Sequence, residues 1–172
     1  IELVIHQFRL YVEEQGGFKL LWNDLQKSST SGEADRKPRD EPTAQCLFSG
    51  IVRSYCQAND IDISAEVETG RGPVDFKFSS GYRKRAFVEL KLAKSSKLKQ
   101  GRFKQLPAYL KAQQIQYGYY VVIIYLKEEF ELVEKMCKEI EGIDFEDLQF
   151  QTMTIDASFI EKIKFWTKQV KT

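Results

Sequence analysis

The stretch YYVVIIYL at 119–126 is the longest apolar run of the chain, and eight residues is the length of a buried strand rather than a membrane span. Three shorter stretches precede it, DISAEVE (62–68), PVDFKFS (73–79) and AFVELKL (86–92), each alternating with period two. They predict three strands joined by short turns. A chain of 172 residues with 42% hydrophobic content has room for one domain with a real core, and not for a second.

Around these strands the period changes to that of helices. Leu3, Val4, Phe8, Tyr11 and Val12, then Phe18, Leu21, Trp22 and Leu25, predict two N-terminal helices broken at Gly16-Gly17. KSSTSGEADRKPRDEP (27–42) reads as a mobile loop, and Pro42 suits the first turn of a helix running to about Ala58. Further helices are expected over 103–116 and 128–140, a strand over 150–155, and weak helix over 158–168.

The net charge of +1 hides a segregation. Residues 71–111 hold twelve Lys or Arg and two acids, Asp75 and Glu89, whereas 127–147 hold nine acids and three lysines. A polyanion is the natural partner of such a basic stretch, and nucleic acid leads the list. Three cysteines (46, 56, 137) without a CxxC pair fit a reducing, cytoplasmic setting and argue against zinc or an iron–sulfur cluster. His6 is the only histidine, which excludes mechanisms needing two. The sequence begins at Ile1 without methionine or a signal-peptide pattern, so the expectation is a fragment whose partner domains lie elsewhere in a larger protein.

The two lone acids sit inside strands. Alternation puts Val74, Phe76 and Phe78 on one face with Asp75 and Lys77 on the other, and Glu89 and Lys91 opposite Val88 and Leu90. A hairpin loop centred on Tyr82 sets Asp75 across from Glu89 with Cβ atoms roughly 5 Å apart, whereas a tight turn at Ser80-Gly81 mismatches the faces. Two carboxylates that close need a positive charge between them, and oxygen ligands favour Mg²⁺ or Mn²⁺. Lys91 on the same face can hold a water and stabilise charge on a phosphate. A structural Asp–Lys–Glu ion-pair cluster is the alternative. Downstream, Pro107 belongs in the first turn of its helix, which places Gln105 at the anion-friendly end and Tyr109 on the same face. Alternatively Tyr109 packs in the core and Gln105 is a surface residue.

Together these residues resemble the PD-(D/E)xK nuclease superfamily, the restriction-endonuclease-like fold. Pro73-Val74-Asp75 matches the PD element with one residue inserted, Glu89-Leu90-Lys91 matches ExK, and Gln105 to Tyr109 resembles the QxxxY motif of RecB-like branches. The inferred order over 42–126 is similar to that superfamily's αβββαβ core. The resemblance implies an α/β fold with a mixed central sheet flanked by helices, N-terminal helical decoration at 1–41 and an extension at 127–172. It also implies a Mg²⁺-dependent nuclease acting on DNA, with RNA as the alternative, inside a restriction, repair or phage-defence protein. Asp75, Glu89 and the Leu90 carbonyl then hold the metal, and Lys91 positions the attacking water. Glu41 at the start of the 42–58 helix is the best further carboxylate, with Gln45 one turn on and Glu66 the second choice. Arg71, Lys94, Lys97, Lys99, Arg102 and Lys104 would flank the metal site, and Arg83, Lys84 and Arg85 at the hairpin tip would touch the nucleic-acid backbone. The acidic 127–147 region should lie away from the substrate. Two other classes stay open: a nuclease-fold module that binds without cutting, and an unrelated α/β interaction domain.

Overall fold

The computed structural model describes residues 1–23, 36–70, 72–140 and 148–158. Helix α1 (Glu2–Glu13) buries Val4, Ile5, Phe8 and Val12. After the Gly16-Gly17 break the expected second helix does not form. Gly17–Leu21 makes one tight 3-10 segment and the chain then extends as β1 (Trp22–Asn23), paired with β2 (Lys37–Pro38). The reason is tertiary. The Trp22 indole donates to the Ala157 carbonyl at 2.8 Å and meets the Tyr125 ring edge-on at 5.4 Å, contacts that outweigh a weak local helical preference.

Helix α2 (Glu41–Ala58) starts from Asp40, whose carboxylate accepts from the Thr43 backbone N–H at 3.1 Å, with Pro42 in the first turn. Strands β3 (Asp62–Glu68), β4 (Pro73–Ser79) and β5 (Arg85–Leu92) follow where the alternation places them. The next helix begins earlier than expected. Residues from Leu98 coil through α3 (Leu98–Gln100), a π-helical turn (Gly101–Gln105) and α4 (Leu106–Gln113). Pro107 stands in the first turn of α4, as its chemistry requires. The turns before it are helical too, because the wide π turn carries the chain past a residue that cannot donate, with the Leu106 N–H reaching the Gly101 carbonyl. Gln105 is therefore not at an open helix end.

Strand β6 (Tyr117–Ile124), helix α5 (Lys127–Ile140) and strand β7 (Gln149–Asp156) complete the described chain. The expected helix at 158–168 lies almost wholly outside the described residues, as does most of the 27–42 loop. The sheet runs β3-β4-β5-β6-β7, antiparallel through β5 and parallel from β5 to β7, so it is mixed. β7 lies in the stretch expected to be an extension, yet it pairs with β6 as the sheet's far edge.

Helices cover both faces. On one, α1 and α2 pack Phe8, Phe48 and Val52 against Phe76, Phe78, Val88, Leu90, Val121 and Ile123. On the other, Leu106, Tyr109, Leu110, Val133 and Met136 cover Val74, Phe87, Tyr120, Val122 and Ile124. β6 feeds both layers alternately, which is why its sequence is continuously apolar. Each large side chain fully buried there contributes about 1.5–3 kcal/mol. Among the described residues no helix is long and apolar enough to cross a membrane.

Candidate functional site

The hairpin register is the one that a loop centred on Tyr82 requires. Phe76 pairs with Val88, Phe78 with Ala86 and Ser79 with Arg85, so one step further brings Asp75 beside Glu89. At that step the ladder stops. The β3–β4 ladder also skips this level, running from Ala65↔Phe76 to Val67↔Val74, and Glu66 between them has φ of 50°. Asp75 thus sits at a gap in both pairings, and its Oδ2 accepts from the Leu90 N–H at 2.7 Å in place of a backbone carbonyl. The kink also corrects one expectation. Val74 does not stay with Phe76 and Phe78 but packs in the opposite layer with Phe87 and Tyr109.

The Lys91 ammonium is the centre of the site. Its Nζ lies 2.7 Å from Glu41 Oε1, 3.0 Å from Glu89 Oε1 and 3.5 Å from Asp75 Oδ2, and donates to the Leu90 carbonyl at 3.3 Å. Three carboxylates from α2, β4 and β5 therefore meet one cation. Glu89 is 3% exposed and Lys91 8%. Burial, reinforced by Asp75 and opposed by Lys91, pushes the Glu89 carboxyl up to about 7. Burial also raises Asp75, against the pull of Lys91 and the Leu90 N–H. For Lys91 burial works downward, but Glu89, Asp75 and the Glu41 hydrogen bond outweigh it and hold the ammonium above its usual value.

The donor set tests whether a metal suits this place. Every candidate ligand is a hard oxygen, and Glu89 Oε2 is buried without a hydrogen-bond partner, a condition that costs about 1–3 kcal/mol or more for a charged group. Both features fit Mg²⁺ or Mn²⁺. As the side chains stand, no group of three His, Cys, Asp or Glu among the described residues is spaced to hold a metal ion. The positive charge between the carboxylates is that of Lys91.

Tyr109 is 5% exposed and belongs to the core layer under the site. Burial first, then the nearby Glu89 carboxylate, raise its phenol. Its hydroxyl lies over Gly72, where a Cβ would come within 3.1 Å and where φ is 117°, so a side chain there would be both crowded and strained. Sequence reasoning missed this glycine, although its place two residues ahead of Val74 was the available signal. Gln105 is half-buried at the end of the π turn. Gln45 lines the same groove as Asp75, and its side chain pulls weakly against the rise of the Asp75 carboxyl. Glu66 is exposed and shares with Asp75 a groove of about 400 Å³, whose α2 wall includes Gln45 and Arg53.

The predicted phosphate contacts divide. Lys94, Lys97 and Lys104 are exposed, Lys94 lying 5.9 Å from the Tyr125 ring centroid. Arg83 and Lys84 are exposed at the hairpin tip, about 20 Å of strand from Lys91. Arg71 lies outside the described residues. Arg102 is corrected outright: it is 2% exposed, donates to Thr152 Oγ1 at 2.9 Å and lies over the Phe150 ring, so it holds the π turn onto β7. Lys99 pairs with Glu139 of α5 at 2.7 Å. The acidic helix therefore adjoins the basic connection, because the crossover brings α3 and α5 onto the same sheet face. Arg85 is half-buried and spends its guanidinium on the Gln113 and Gln114 carbonyls and the Tyr82 ring.

No curated protein and no solved structure matches the chain. A family model described as Domain of unknown function (DUF8371) matches residues 1–127, a span that contains Glu41, Asp75, Glu89, Lys91 and Tyr109. The chain belongs to that DUF8371 family.

Proposed function

We propose that this domain is a Mg²⁺-dependent nuclease of restriction-endonuclease-like fold that hydrolyses phosphodiester bonds in DNA, working in the cytoplasm beside other domains of a restriction, repair or phage-defence protein. The observation that carries this reading is the convergence of Glu41, Asp75, Glu89 and the Leu90 carbonyl on one buried point, with Glu89 Oε2 left unsatisfied. Gathering one buried and two half-buried carboxylates at one point opposes folding, which fits a role in chemistry rather than in stability. The order helix, three strands, helix, strand from Glu41 to Ile124 supports the same reading.

In this reading Asp75, Glu89 and the Leu90 carbonyl hold the ion, with Glu41 as the further carboxylate. A bound Mg²⁺ or Mn²⁺ supplies Lewis-acid polarisation of a phosphoryl oxygen and an acidified water. Lys91 orients the water and stabilises charge growing on the phosphate, in a setting where exclusion of bulk water strengthens its field. Tyr109 supports the site from beneath on α4, within the field of Glu89 and Lys91, and Gln105 is carried only by its place in the QxxxY resemblance. Lys94, Lys97 and Lys104 supply sequence-independent affinity.

A second reading is a nuclease-fold module that binds without cutting. It is favoured by the completeness of the Lys91 contacts, since the ammonium already satisfies one oxygen of each carboxylate. A time course with plasmid and with linear single- and double-stranded DNA in Mg²⁺, Mn²⁺ or EDTA separates the two. Metal-dependent cleavage lost in both Asp75→Ala and Lys91→Ala is the expected result. Absence of cleavage together with absence of Mn²⁺ heat in calorimetry removes the enzyme.

A further inference from the structure

The hairpin joining β4 to β5 carries a surface that the carboxylate cluster does not use. Tyr82 at its tip is 78% exposed. The Arg85 guanidinium stacks on its ring at 4.3 Å and is itself fixed from behind, 3.4 Å from the Gln113 and Gln114 carbonyl oxygens at the end of α4. An arginine anchored in this way holds one face of the ring and leaves the other in solvent. Across a cleft of about 280 Å³ stands Tyr117, 42% exposed, with Arg83, Gln114 and Gln116 also lining the walls. No acid is among the residues lining this cleft, and Lys84 adds a third positive charge at the tip.

Two exposed phenol rings beside three cations match one kind of ligand. Arg83 and Lys84 suit phosphates, the free face of Tyr82 suits a base, and Gln114 and Gln116 line the same cleft with amides suited to base edges. Stacking on a side chain requires a base that is not already stacked in a duplex. A protein partner would call for a far larger apolar area than two rings offer. We propose that this hairpin cleft is a second nucleic-acid contact, selective for unpaired nucleotides and separated from Lys91 by six residues of β5, about 20 Å. The proposal rests on the nuclease reading for its purpose, but its binding is measured without cleavage.

The full chain in EDTA is titrated against fluorescein-labelled oligothymidylate of about 15 nucleotides, within the usual range of single-strand sites, and against a blunt duplex of the same length. Tyr82→Ala is expected to weaken single-strand binding about tenfold while leaving the duplex nearly unchanged. Tyr82→Trp should bind at least as well as the parent, and the Arg83→Glu, Lys84→Glu double variant should weaken both ligands. All three positions are exposed, and thermal melts check that the variants fold. The proposal falls if Tyr82→Ala binds the single strand like the parent, if it weakens both ligands equally, or if the parent does not bind oligothymidylate. Tyr82-dependent binding without any metal-dependent cleavage sinks the nuclease reading alone, and cleavage with Tyr82-independent binding sinks this one alone.

Discussion

The carboxylate cluster and the basic connection at 94–104 are both dense in charge, yet they obey different rules. In the cluster Glu89 and Lys91 are buried, Asp75 and Glu41 are half-buried, and the partners come from α2, β4 and β5, so changing one changes the proton affinity of its neighbours. In the connection the lysines stand in solvent at separate places, and their contribution is a sum of weak, salt-screened contacts. Charge in the strand interior is therefore coupled, while charge along the exposed connection is nearly independent from one lysine to the next. Arg102 crosses this boundary: it belongs to the connection by sequence and to the core by burial.

The contrast is tested most severely by Lys91→Met. It leaves three carboxylates facing one another without a cation, and the expected cost in EDTA is about 3–5 kcal/mol in urea unfolding, with much of it recovered by Glu89→Gln in the same chain. A loss below 1 kcal/mol would mean that water reaches the cluster freely. Next in size is pH. The folded Glu89 keeps its proton up to about 7, whereas the unfolded residue ionises near 4.5, so the unfolded chain releases the proton first. Metal-free stability should fall by roughly 2–3 kcal/mol as pH rises from 4.5 through 7, and Glu89→Gln should flatten that slope. A rise over the same window would reverse the assignment of Glu89 as the destabilised acid.

Arg102→Ala should cost about 2 kcal/mol through the lost Thr152 bond and Phe150 contact, without changing DNA affinity. The smallest effects belong to the exposed lysines. Lys99→Ala, which gives up the Glu139 pair, should stay within about 0.5 kcal/mol. Lys97→Ala should lower the salt slope of DNA binding by about one. Equal stability losses for Lys99→Ala and Lys91→Met would erase the distinction between the two regions.

What could be read from the sequence follows the same division. Period-two alternation located Glu89 and Lys91 on one face, and face matching alone selected the Tyr82-centred register, because a slip of one residue inverts the whole strand. Glu41 was reached only through the resemblance, as a carboxylate at the start of the 42–58 helix, and the Asp40 cap that fixes that start was not anticipated. The departure of Val74 from its face was not visible, since it goes with a break in both ladders at Asp75 and a left-handed Glu66 on the neighbouring strand, which no local pattern announces. The helix expected after Gly17 failed because Trp22 found partners more than a hundred residues away. Arg102 and Arg85 were misread for a related reason: composition counts a guanidinium as surface charge, and only packing shows where it points.

Asp75 closes the gap between β4 and β5 with a side-chain oxygen, so one rung of the sheet is made by an atom that can take up a proton or be claimed by an ion. The opening rate of the Leu90 amide is thereby tied to the ionic state of the cluster rather than to the global unfolding of the strands around it. Solvent exchange at that single amide then becomes an internal gauge of site occupancy, readable in the intact domain with no substrate added.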